Sequence, residues 1–152
     1  MQAETIKDVL HWTQQAHKQL TDCLHHCSDK SESIRSKMLL DYLAEHEQRL
    51  EHTIQKIEEE GNITALNTWV LEYVNRAPIK LHDVCDEPFI NMSVGDILHL
   101  VTGVNNQIIE LYRYLLNQAQ IPETQELMEQ LVELEQNEAM RMSRDAQRFS
   151  DM

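Results

Sequence analysis

Residues 61–92 read GNITALNTWVLEYVNRAPIKLHDVCDEPFINM, and across them the helical rhythm of the flanking sequence stops. Gly61-Asn62 supplies a stop signal, Ala65 to Asn75 can form a short helix around Trp69, and Pro78 and Pro88 bracket a segment without clear period. Upstream, Ile6, Val9, Thr13, Ala16, Leu20, Cys23 and Cys27 recur at alternating steps of three and four, which predicts a helix from about Glu4 to Cys27. Ser28, Asp29 and Ser31 interrupt it, and Ser31 or Ser33 can cap a second helix reaching about Glu60. Downstream, Ser93 with Asp96 three residues on opens a third long helix that continues to about Gln120. Pro122-Glu123 then opens a fourth that runs nearly to the C-terminus. Two short turns around one long link predict a four-helix bundle in which the link lets the third long helix start at the same end as the first.

Composition agrees with an all-α chain forming a single domain over residues 1–152. Three glycines, three prolines and many Leu, Glu, Gln, Met and Ala residues favour helix, and the chain is long enough to bury a full core without disulfides or a structural metal. Twenty-six acidic residues against thirteen basic ones leave a formal charge of −13, which repels nucleic-acid backbones and anionic membrane surfaces. Neither a basic-then-apolar leader nor an apolar run of membrane-spanning length is present, so a cytoplasmic location is expected. Three cysteines is an odd count, and Cys23 and Cys27, one helical turn apart, pair poorly, so reduced thiols are expected. A zinc site from Cys23, His26, Cys27, His82 and Cys85 fits no standard knuckle spacing.

The chemistry lies where polar residues interrupt the apolar stripes. Helix two carries Leu43, Glu47, Leu50, Ile54 and Ile57 on its stripe, and helix four carries Met128, Leu131, Glu135, Glu138, Met142 and Phe149. Helix three places Asn105 among Leu98, Val101, Ile108, Tyr112 and Leu115, and helix one places Thr13 between Val9 and Ala16. Leu43-Ala44-Glu45-His46-Glu47-Gln48 also echoes Leu131-Val132-Glu133-Leu134-Glu135-Gln136, as a duplicated helix pair would. Three carboxylates facing one core need a cation, a proton or hydrogen-bond donors, because burying them ionised is costly by several kcal/mol. Without a cation they should destabilise the fold, so Glu138→Leu is expected to raise the melting temperature or leave it unchanged.

From about Val9 to Phe149 the sequence resembles the rubrerythrin-like branch of the ferritin-like superfamily. The resemblance implies a ferritin-like bundle with one long crossover between helices two and three carrying a short extra helix. It further implies a di-iron centre in which helices one and three each carry a glutamate seven residues before a tyrosine, and helices two and four each carry Glu-x-x-His. Here Tyr112 matches the helix-three tyrosine and puts Asn105 at the ligand position, while Leu20 and Thr13 stand at the corresponding places on helix one. The two Glu-x-x-His motifs become Glu47-x-x-Leu50 and Glu135-x-x-Glu138.

Glu47, Glu135 and Glu138 are therefore the candidate metal ligands, with His46, His17 and Asn105 as possible helpers, and either one divalent ion (iron, manganese or zinc) or none is expected. An empty, proton-sharing site with Asn105 and Thr13 as hydrogen-bond partners is the alternative arrangement. His11, His25, His26, His52 and His99 read as solvated. No phosphate-binding loop, nucleophile elbow or HExxH helix is present. The expected function is a non-enzymatic bundle acting by association or weak metal binding, with a divergent di-iron or di-manganese oxidoreductase as the other reading. A homodimer is the expected assembly, its protein partner otherwise unspecified.

Overall fold

A computed structural model describes residues 3–70 and 93–150 of the chain. Its long helices are α1 (Ile6–Lys30), α2 (Ile34–Glu60), α4 (Val94–Gln118) and α5 (Pro122–Ser150), with a one-turn α3 (Ile63–Leu66) after α2. Each start is explained locally. Thr5 accepts a hydrogen bond from the Asp8 amide while the Asp8 carboxylate accepts from the amides of Thr5 and Glu4, a reciprocal cap that also lowers the Asp8 pKa through those backbone donors. Ser33 caps α2, Asn62 caps α3 and Ser93 caps α4, each through its side-chain oxygen. Pro122 opens α5, where its missing N–H has no partner to lose. Gly61 ends α2 for lack of room: a Cβ there would lie 2.8 Å from the Ile57 carbonyl oxygen and 3.2 Å from Leu66.

α1 packs along α2 and α4 along α5, with α2 against α5 joining the two pairs. The core fills with Ile6, Leu10, Leu24, Leu39, Leu40, Ile54, Ile97, Ile108 and Tyr112, all at or below 2% exposure. Burial on that scale stabilises by about 1.5–3 kcal/mol for each large aliphatic side chain. Helix directions follow from the cross-contacts. His11 meets Glu58 and Ser28 meets Asp41, so α2 runs antiparallel to α1. Tyr42 bonds Asp145 and His46 bonds Glu138, so α5 runs antiparallel to α2.

Tyr112 reaches Thr13 and Asn105 reaches Glu47, so α4 runs parallel to α2 and opposite to α1. The third long helix thus starts at the same end as the second, which corrects the expectation that it would start beside the first. Thr68 bonds Thr124 at the start of α5, and residues 68–70 pair with 4–6 in an antiparallel bridge, with Ile6 donating to the Thr68 carbonyl and Val70 to that of Glu4, both at 2.9 Å. Residue 70 and residue 93 therefore lie at opposite ends of the bundle.

The short extra helix is present but sits earlier than Ala65 to Asn75, and Trp69 lies in the extended bridge, 71% exposed. Residues 71–75 and the Pro78 to Pro88 segment lie outside the described residues. Cys23 is disulfide-bonded, contrary to the expectation of reduced thiols. Cys27, one turn along, is not its partner and is buried in the core. Disulfides persist mainly in oxidising compartments, so the cysteines lend the cytoplasmic expectation no support. Among the described residues no helix is long and apolar enough to cross a membrane.

Candidate functional site

Half-way along the bundle each long helix contributes polar side chains to one buried layer: Thr13 and His17 from α1, Glu47 from α2, Asn105 and Tyr112 from α4, and Glu135 from α5. All are at or below 1% exposure. His17 is at the centre. Its Nδ1 lies 2.5 Å from Glu47 Oε2 and its Nε2 lies 2.7 Å from Glu135 Oε1. The echoing segments of α2 and α5 thus place their second glutamates on opposite edges of one imidazole. Asn105 donates through Nδ2 to the other Glu47 oxygen at 2.8 Å, and Thr21 donates to the His17 carbonyl at 2.8 Å. One turn away the Tyr112 hydroxyl donates to Thr13 at 2.7 Å, and Thr13 donates to the Leu10 carbonyl at 3.1 Å.

An ionised carboxylate only accepts hydrogen bonds, so a ring facing one on each nitrogen is satisfied when both nitrogens carry protons. Burial pushes the His17 pKa down, but attraction to Glu135 and Glu47 and the hydrogen bonds to them outweigh it and raise the value to about 10. Burial raises the Glu135 pKa against the opposing pull of His17. Burial, helped by the Glu135 charge, also lifts the Tyr112 phenol well above its ordinary range, keeping it a neutral donor. Glu135 Oε2 and Asn105 Oδ1 are buried acceptors without a hydrogen-bond partner.

The layer brings Glu47, Glu135, His17 and Asn105 together, but not Glu138. That carboxylate stands at the α2–α5 edge with its side chain 12% exposed, facing His46 Nδ1 at 2.9 Å and Arg141 at 3.4 Å. His46 is itself buried and its ring lies 4.6 Å from that of Tyr42. Glu138 is therefore not a third core carboxylate: one turn beyond Glu135 the helix surface has rotated toward solvent and two basic partners. This reverses the expectation for its replacement. Glu138→Leu should lower stability by about 1–3 kcal/mol, because it strands the buried His46 nitrogen; an unchanged or raised melting temperature would refute it.

His17 was the harder residue to read. It lies one turn after Thr13 and beside Ala16, and the buried face of α1 is wide enough to hold both Ala16 and His17. The signal was present in that i, i+4 step from the polar stripe position. His11, His25, His26, His52 and His99 are exposed, as expected.

These residues do not fit a di-iron group. Leu50, at a ligand position, is an apolar residue 2% exposed, and Thr13 has its hydroxyl engaged by Tyr112 and Leu10. Asn105 turns its amide nitrogen toward Glu47, and the space between the two carboxylates is filled by the His17 ring. Among the described residues no group of three or more His, Cys, Asp or Glu side chains is arranged to hold a metal ion. A surface groove of about 580 Å³ between α4 and α5, lined in part by Arg113, Glu110 and Met140, includes none of the polar-layer side chains.

No protein-family model and no curated protein matches the sequence. Among solved structures, a proposed ferritin-like diiron-carboxylate protein from Thermotoga maritima superposes with a TM-score of 0.64 over 97% of this chain and 98% of that one, at 12% sequence identity. At that identity the likeness establishes the architecture alone: the chain has the ferritin-like fold.

Proposed function

We propose that this protein is a non-catalytic ferritin-like bundle in which the imidazole of His17 bridges the two core carboxylates, and that it acts through association as a homodimer. The observation that carries the reading is the bridge from Glu47 through His17 to Glu135, with both ring nitrogens and one oxygen of each carboxylate committed. A centre for oxygen or peroxide chemistry requires open coordination positions on its metals. Here the side chains at the ligand positions are bonded to one another or apolar, so no such metal is held. Closed two-fold dimers are the commonest assembly of soluble proteins.

Protein purified without chelator should contain far less than two irons per chain and scatter light as a dimer at micromolar concentration. Two stoichiometric irons with an oxo-bridge absorption band would overturn the non-catalytic reading, and a monomer would overturn the association.

A further inference from the structure

Charge is distributed unevenly along α5. Its first half carries Glu126, Glu129 and Glu133 on the surface and no basic residue, and its second half carries the exposed Arg141, Arg144 and Arg148. The helix dipole favours such an arrangement only within the first and last turns, whereas Glu133 and Arg141 lie near mid-helix. Glu126, Glu133, Asn137, Arg141 and Arg148 follow one another at steps of four or seven, so they share one exposed face. On that face the signs mirror about Asn137: Glu133 and Arg141 stand four residues to either side of it, and Glu126 and Arg148 eleven. Beside the face runs the groove of about 580 Å³, with Glu110 and Arg113 on its α4 wall and Met140, 67% exposed, on its α5 wall.

Two copies that each carry a charge of −13 repel one another, so a stable pair needs a face that holds both signs. We infer that a second copy of this chain docks on the α4–α5 side of the bundle, with its α5 antiparallel and the two-fold axis passing beside Asn137. The inference names the surface of the homodimer proposed above and rests on that reading. A two-fold contact must be complementary to itself. Reversal brings Glu133 opposite Arg141 of the second copy and Glu126 opposite its Arg148, whereas a parallel pairing would set Arg against Arg. The two grooves then face each other, and Met140, an unbranched side chain that adapts to irregular space, meets the groove of the other copy. Within one chain Arg141 stands 3.4 Å from Glu138 and Arg144 3.5 Å from Asp145, exposed contacts of small energy that leave guanidinium donors for the second copy.

The test is the solution mass, by sedimentation at micromolar concentration, of two charge-reversal variants: Arg141→Glu with Arg148→Glu, and Glu126→Arg with Glu133→Arg. Each alone presents like charges to its own copy and should weaken the dimer at least tenfold relative to wild type. An equimolar mixture of the two restores opposite pairs and should recover a mixed dimer. The replaced residues are exposed, so both variants should keep the wild-type helix content by circular dichroism; should one not fold, the dissociation of the other against wild type decides alone. The inference fails if the folded variants dimerise like wild type, or if the mixture stays monomeric. A dimeric wild type in either case leaves the proposed association standing through another face or alignment, whereas a monomeric wild type removes both.

Discussion

Replacing His17 with leucine should destabilise the fold by about 3–5 kcal/mol, the scale set by removing one partner from a buried ionic group. The leucine leaves Glu47 and Glu135 facing each other in a core where both are at or below 1% exposure, with Asn105 as the remaining donor to Glu47. For a chain of this length the melting temperature should drop by roughly 10 °C. The diagnostic comparison is the triple variant His17→Leu, Glu47→Leu, Glu135→Leu. Removing the whole group takes away the desolvation penalty along with the attraction, so its stability should return to the wild-type level or exceed it. Thermal denaturation of both variants checks this. If the triple variant were less stable than His17→Leu, the three residues would not be acting as one electrostatically coupled unit.

The second large effect is on pH dependence. His17 has a folded-state pKa of about 10 against an ordinary value of 6.5, so the folded protein holds one proton more than the unfolded chain between those values. A raised pKa contributes stability that is fully present below pH 6.5 and is lost as pH climbs through 10. Facing the ring are Glu47 from α2, Glu135 from α5, and from α4 the neutral Asn105, with Tyr112 beside them, its phenol held protonated. Glu135, whose pKa burial also raises, acts with the same sign from above its ordinary 4.5. Stability should therefore fall with rising pH, by up to about 1.4 kcal/mol per unit from His17. Between pH 7 and 9.5 the melting temperature should decline by roughly 10 °C. The triple leucine variant, lacking these groups, should show a much flatter profile; a flat wild-type profile would mean that His17 is neutral in the fold.

Most of the architecture could be read from periodicity and caps because both are local. Ser33 and Ser93 announce their helices within four residues, and the stripes on α2, α4 and α5 place Leu43, Val101, Ile108 and Leu131 in the core, where they are found. The direction of α4 was not legible. It depends on which end of the bundle residue 93 occupies, and no residue near Ser93 encodes that locally. In the polar layer, Glu47, Glu135, Asn105 and Thr13 were legible as breaks in an apolar pattern. Glu138 was misread because a stripe followed through six positions drifts around the helix, so residues one turn apart can face core and edge. His17 could be read only as a possible helper, because its place between the carboxylates is defined by two glutamates 30 and 118 residues away in sequence.

The polar layer also bears on how many structures the chain can adopt. Leucines on four helices can slide past one another by a turn and still find apolar neighbours, whereas His17, Glu47, Asn105 and Glu135 satisfy one another in one alignment only. A slip of any helix would leave a buried charge facing hydrocarbon. The layer therefore acts as an indexing mark that fixes the longitudinal registration of all four helices at once, a use well attested for single polar groups in helical cores. In the triple leucine variant thermal stability and structural uniqueness should part company: a higher melting temperature would be accompanied by broadened, less dispersed amide resonances as the helices sample neighbouring alignments.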